Sequence, residues 1–499
     1  MRTSGILLHI SSLPSEHGIG TFGKEAYRFV DFLCKAGQTY WQILPIGITS
    51  YGDSPYQSFS TFAGNPYFID PDLLCEAGYL EKKDYAKLDF GTDPEKADFG
   101  KLYKNRYKML ETAYENFKKK PAADYPRFCE ENKEWLEGFA LFMSIKNENG
   151  GASWQAWEKP LKKRESSAVA AARERLADKI DFWRVTQYFF FTQWFALKAY
   201  ANKKGIKIIG DLPIYVSLDS ADVWENPKDF ELDQNLAPVN VAGCPPDDFS
   251  ADGQRWGNPL YNWKKMQREG FSWWCRRAEA AAKFYDVLRI DHFRGFEAYW
   301  SIPAKDKTAK NGKWVKGPGY ALFAALEKRL GELPIIAEDL GFLTDGVKKL
   351  LKKTGFPGMK VLEFAFDPKG DSEYLPHNIG KNSVAYIGTH DNEPALLWLE
   401  KMPEDTVEFA KSYMHLTKEE GLNWGFIRTL LACPADTAIM QMQDILALSK
   451  GARMNTPAVA SGNWAWRMRG ECINDWLAEI IYKKTALYRR LPEKKKEDK

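Results

Sequence analysis

The chain is predicted to be an α/β protein, a (β/α)8 TIM barrel with inserted, mostly helical subdomains around the C-terminal face of the barrel. Three observations predict this. Eight short apolar runs recur along the 499 residues, and segments with helical periodicity lie between most of them. Several of the runs lead into a carboxylate, which is where a parallel barrel places its functional groups.

The runs, in order, are ILLHI from Ile6, WQILPIG from Trp41, IKIIGDLPIYV from Ile206, VLRID from Val287, LPIIAED from Leu333, KVLEFAFD from Lys360, VAYIGTHDN from Val384 and AIMQMQDIL from Ala438. Short apolar stretches bounded by Gly or polar residues read as strands buried on both faces. After the first strand, KEAYRFVDFLCKAG sets Ala26, Phe29, Val30 and Leu33 on one helical face, with Gly37 as the stop. YALFAALEKRLG from Tyr320 ends in the same way at Gly331, and DGVKKLLKKTG offers Asp345 as N-cap and Gly355 as stop. Strand and helix alternating eight times give parallel strands with helical crossovers. Spacing alone leaves an open sheet as the alternative.

The intervals are uneven. Residues 70–200 are rich in charged, helix-favouring sequence and predict a mostly helical insertion between strands two and three. A second insertion, 217–284, follows the third strand. A third, 393–437, follows the seventh. With no internal repeat or low-complexity linker, residues 1–499 read as one catalytic barrel whose excursions build a cleft. Gly18, Gly20 and Gly23 fit the GxGxxG dinucleotide pattern. The next strand, however, ends in Pro45 and Gly47 without the acid that would hold a ribose, so that reading fails.

Composition narrows the function. With 70 basic and 67 acidic residues, the near-neutral balance argues against nucleic acid or an anionic membrane as partner. Seven scattered cysteines without a CxxC pair predict a reduced, cytoplasmic protein. No uninterrupted 18-residue apolar run and no secretory h-region occurs. Metal signatures such as HExxH and the EF-hand loop are also missing, so neither a metal nor a cofactor is expected. The 18 Trp, 23 Tyr and 30 Phe mostly fill a core, with a handful free to stack on sugar rings.

Three carboxylates close three of the runs: Asp291, Glu338 and Asp391. A single acid at a strand end is more often a loop ion-pair member or a helix cap. Three of them, with Arg and His neighbours, suit glycosidic chemistry, which needs paired carboxylates around an oxocarbenium-like transition state. Arg289 precedes Asp291, and a guanidinium favours the charged form a nucleophile requires. Ile335, Ile336 and Ala337 precede Glu338, and apolar surroundings suit a general acid. Asp211 is a fourth acid, at the end of the third run. Glu363, inside the sixth, reads as structural. His390, beside Asp391, reads as a donor to a sugar hydroxyl.

The segments GILLHISSLPSEHGIG, WQILPIG, SPYQSFSTFAGNPYFID, GDLPIYV, PPDDFSADGQRWGNPLYNW, RIDHFRG, AEDLG, THDN, QMQDIL and ARMNTPAVASGNWAWR, in this order, closely resemble the 4-α-glucanotransferases, glycoside hydrolase family 77 of the α-amylase clan. The resemblance implies Asp291 as nucleophile, Glu338 as acid/base and Asp391 as transition-state stabiliser. It implies that Tyr56, Asp211, Arg289 and His390 hold the sugar, and that Phe249 and Trp256 belong to a loop covering the acceptor side. It also implies a malto-oligosaccharide or α-1,4-glucan substrate. Asn463 and Trp464 fall in a matching motif with an expected structural role. Cys244 departs from the family's larger apolar or aromatic residue in that loop. Rival expectations are a glucan hydrolase or branching enzyme and a non-catalytic glucan-binding protein. The oligomeric state cannot be read from the chain.

Overall fold

The computed structural model describes residues 2–50, 52–246, 250–341, 343–459 and 461–493. Twelve strands are formed among them: β1 (Thr3–Leu7), β2 (Tyr40–Gln42), β3 (Lys207–Leu212), β4 (Asn240–Cys244), β5 (Gln254–Pro259), β6 (Val287–Ile290), β7 (Ala298–Pro303), β8 (Lys313–Lys316), β9 (Ile335–Ala337), β10 (Gly358–Val361), β11 (Ser383–Tyr386) and β12 (Thr437–Gln441). Eight of them close a parallel barrel in the order β1-β2-β3-β6-β9-β10-β11-β12, so each of the eight apolar runs supplies one barrel strand. Closure is by β1 against β12, with Thr3 opposite Thr437 and Ile6 opposite Met440.

The barrel core is built from Ile6, Trp41, Ile208, Ile290, Met359, Ala385 and Ile439, all buried. Removing each large apolar side chain from water contributes roughly 1.5–3 kcal/mol. Gly5 is required by close packing, since a Cβ there would lie 2.6 Å from the Tyr40 backbone oxygen.

The helix Lys24–Lys35 buries Ala26, Phe29, Val30 and Leu33, and Gly37 takes φ +66° just past its end. The helix Tyr320–Leu330 stops at Gly331, also at positive φ. In the helix Asp345–Thr354 the N-cap is Thr344 rather than the expected Asp345. Thr344 is the extended residue, and its hydroxyl accepts from the Val347 N–H, while Asp345 already belongs to the first turn. The GxGxxG glycines do not form a phosphate cradle. A Cβ on Gly20 would sit 1.8 Å from the Ile10 carbonyl oxygen, so that glycine serves packing.

Between β2 and β3 the chain forms long helices, Phe99–Lys119, Tyr125–Glu148 and Ala177–Lys203. The last grips the preceding loop with two buried amides. Gln187 exchanges hydrogen bonds with the backbone of Gly64 at 2.7 and 3.0 Å, and Gln193 does so with Asp70 at 2.6 and 3.1 Å. The Tyr56 loop is thereby set against the barrel mouth.

Sequence periodicity did not anticipate the second sheet, four antiparallel strands in the order β5-β4-β7-β8. Residues 217–284 thus contribute a hairpin, β4 and β5, as well as helices, and the hairpin pairs with β7 from the segment after β6. Its strands are short, and neither QRWGNP nor NVAGC alternates cleanly. Glu363 also differs from expectation. It lies past the end of β10, in the short turn Leu362–Phe364, buried against the Gly388–Asn392 turn.

Candidate active site

Asp291 directly follows β6, Glu338 directly follows β9, and the Thr389–Asn392 turn carrying Asp391 follows β11. The structure brings all three acids to one end of the barrel, together with Asp211 from β3. Adjacent parallel strands make this unavoidable: Asp211 pairs with Arg289 across β3 and β6, and Arg289 with Ile336 across β6 and β9.

Arg289 is the hub. It is buried, and its Nη1 donates to Asp211 Oδ2 at 2.7 Å and to Asp291 Oδ1 at 2.9 Å. Burial acts to lower its pKa, but the carboxylates of Asp211 and Asp291 outweigh that and hold it well above its usual value. The Tyr56 hydroxyl donates to the same Asp211 oxygen at 2.8 Å. Burial first, and then the Asp211 charge, push the Tyr56 pKa well up, so it acts there as a neutral donor.

Glu338 is laced to the Asp291 segment by three backbone contacts. Its N–H donates to the Ile290 carbonyl at 3.0 Å, its carbonyl accepts from Phe293 at 3.0 Å, and its Oε2 accepts from the His292 N–H at 2.7 Å. Oε1 accepts from the Leu340 N–H at 2.8 Å. Loss of water around the carboxyl, followed by the charge of Asp291, raises its pKa to about 7, while Arg289 and these N–H groups pull the other way. A carboxyl titrating there is poised to give and take a proton near neutrality.

His292 needs positive φ, +51°, to turn the chain after Asp291. Its ring stands edge-on to Trp256 at 4.9 Å, which brings Trp256 of β5 beside the acids. Burial lowers the His292 pKa to about 4 despite the neighbouring Asp291, so the imidazole is neutral. Phe249 lies outside the described residues.

Asp391 is held by a different part of the chain. Asn455 Nδ2 donates to its Oδ1 at 2.6 Å, Arg453 donates to its carbonyl oxygen, and His390 Nε2 lies 3.4 Å from Oδ1. The Asn455 N–H also donates to the His390 carbonyl at 3.0 Å. Above this, the rings of Tyr56 and His390 stack at 5.2 Å and 12°, and Trp464 packs within 5.8 Å of both. Trp464 adopts φ +66° to do so. Sequence reasoning missed Asn455 and assigned Trp464 to the framework. The motif ARMNTPAVASGNWAWR was visible, but it has no periodicity from which its contacts could be drawn.

His17, Asp70 and Asp72 form the one cluster among the described residues with the spacing of a cation site. Asp70 is already occupied by the Asp72 and Leu73 N–H groups and the Thr21 hydroxyl, and burial first, then the Arg106 charge, lower the His17 pKa.

A closed parallel barrel with arginine-braced carboxylates and a near-neutral acid at its mouth defines an enzyme that works on glycosidic bonds. The model of the 4-alpha-glucanotransferases, glycoside hydrolase family 77, matches residues 8–473. A 4-alpha-glucanotransferase of Clostridium butyricum is 50% identical over 485 residues, covering 97% of this chain and 100% of that protein. The amylomaltase of Streptococcus agalactiae, solved in complex with acarbose, superposes with a TM-score of 0.97 at 47% identity, covering 99% of this chain and 100% of that one. The amylomaltase of Corynebacterium glutamicum, 18% identical, shares the fold with a TM-score of 0.77 over 98% of this chain and 75% of its own. The chain belongs to the 4-alpha-glucanotransferase family and is a hexosyl-transferring enzyme. No helix among the described residues is long and apolar enough to cross a membrane.

Proposed function

We propose that the enzyme moves α-1,4-glucan segments from a donor malto-oligosaccharide to the 4-hydroxyl of an acceptor glucan or glucose, by double displacement with retained configuration. Asp291 attacks the anomeric carbon while Glu338 gives its proton to the departing glycosidic oxygen. The C–O bond breaks, a covalent glucosyl-Asp291 ester forms, and the reducing-end fragment leaves. The Glu338 carboxylate then takes the proton of the incoming 4-hydroxyl as that oxygen displaces Asp291, restoring both side chains. Asp391 faces the oxocarbenium-like charge, and Tyr56, Asp211, Arg289 and His390 hold the sugar. Trp256 and Phe249 cover the acceptor and limit water, which transfer requires.

The observation that carries this reading is the lacing of Glu338 to the Ile290–Phe293 segment, which fixes a near-neutral acid beside an arginine-braced aspartate. The acarbose bound by the Streptococcus agalactiae relative supports a glucan-shaped cleft. The seven cysteines form no disulfide with one another, which supports a cytoplasmic setting. Incubation with maltotriose is the test: glucose plus a ladder of longer α-1,4 chains is expected. Glucose and maltose without longer products would make it a hydrolase, and no reaction would return it to a binding protein.

A further inference from the structure

Away from the barrel mouth, the helices Tyr125–Glu148, Ala177–Lys203 and Ser272–Phe284 border a groove of about 850 Å³. Small-molecule sites commonly span about 300–1,000 Å³. Its distinctive feature is a tier of near-parallel rings. Phe62 and Trp135 lie 6.4 Å apart at 16°, and Trp135 and Phe191 lie 5.5 Å apart at 28°. Trp135 is half-buried, and Phe195 on the same wall is 38% exposed.

Carboxylates and cations line the groove in near balance, which disfavours an ionic ligand. Arg164 lines it too, and its buried Nη1 has no hydrogen-bond partner. Flat ring faces, neutral balance and an unspent donor are the chemistry that recognises a sugar, a patch of C–H edged by hydroxyls.

The groove also shares a wall with the barrel site. Phe62 follows Tyr56 by six residues, Thr61 N–H donates to Asp222 Oδ2 of the groove at 2.8 Å, and a small cavity beneath the loop is lined by both Tyr56 and Phe62.

We propose that this groove is a second carbohydrate site that holds a stretch of α-1,4-glucan remote from the bond being transferred, with Trp135 and Phe62 as its stacking faces. It rests on the reading that the enzyme acts on α-1,4-glucan, which the parent's activity on maltotriose tests separately.

The experiment compares the parent with Trp135→Ala and Phe195→Ala on maltotriose and on long amylose, and measures retardation in native gels containing glycogen. For Trp135→Ala the expected result is a rise in KM for amylose of about fivefold or more, weaker retardation, and a maltotriose rate within about twofold of the parent. Should Trp135→Ala melt far below the parent, Phe195→Ala decides, since its ring lines the same groove and already faces solvent, and the same rise in amylose KM with an unchanged maltotriose rate is expected of it. Unchanged amylose KM and retardation would overturn the proposal. So would equal losses on maltotriose and amylose.

Discussion

Asp291 and Asp391 occupy comparable places beyond barrel strands and are supported in contrasting ways. Asp291 is braced by Arg289, two residues upstream on its own strand, which is tied in turn to Asp211 on the neighbouring strand. Its side chain is 28% exposed. That of Asp391 is 46% exposed and takes its hydrogen bond from Asn455, beyond the last barrel strand. The barrel itself builds the first aspartate, whereas a segment laid over the barrel builds the second. Chemistry anchored in paired strands is rigid by construction, and chemistry anchored in a loop depends on that loop staying in place.

This difference can be probed by how far each support can be removed. The largest effect is expected from Asp291→Asn, which should lower the disproportionation rate by about 10⁴-fold or more, as loss of a nucleophile does. Substantial surviving activity on maltotriose would break the assignment. Next comes Asn455→Ala. Removing one hydrogen bond to a charged group costs about 1.5–3 kcal/mol, so kcat should fall roughly 10- to 100-fold. KM should change little, and partial rescue by Asn455→Gln would show that the amide acts through Asp391. An unaltered kcat would mean that Asp391 needs no brace.

A pH profile sharpens the Asp291 side of the contrast. Glu338 must start protonated, and its raised value keeps the proton until the pH passes about 7. Above that, kcat/KM should fall about tenfold per pH unit, because one proton is lost. A flat profile to pH 9 would exclude Glu338 as the acid. The smallest effect is expected from Trp256→Ala, which opens the wall beside His292. Product analysis should show hydrolysis rising a fewfold relative to transfer, with total turnover less affected. An unchanged ratio would move the exclusion of water elsewhere.

The same contrast explains what could be read from sequence. The eight barrel strands were legible because a strand buried on both faces must be apolar along its length, and VLRID or LPIIAED can hardly be anything else. Asp211, Arg289, Asp291 and Glu338 were legible because strand neighbours determine their positions. Asn455 and Trp464 were not, since their contacts arise from loop conformation, including a left-handed tryptophan that no pattern announces. The antiparallel sheet escaped for a related reason. Two of its partners, β4 and β7, are 57 residues apart at their closest pairing, Gly243 with Trp300, and their strands are too short to alternate visibly. Thr344 displaced Asp345 as a cap because capping depends on which residue is extended, and that outweighs residue type, by which Asp is the better candidate.

The β4–β5 hairpin has a mechanical meaning as well. Its root is stitched to β7, which begins only a few residues beyond Asp291, and near its far end Asp252 is tied to the segment after β7, its carbonyl accepting from the Ala309 N–H at 2.9 Å and its carboxylate pairing with Lys310 at 2.6 Å. Gly253, at φ +66°, closes the tip back onto Cys244. The hairpin is thus pinned at two points to the stretch of chain that follows the Asp291 strand, as a beam is held at both ends. A wall pinned in this way keeps Trp256 of β5 in a fixed position beside His292, and so beside Asp291 and Glu338.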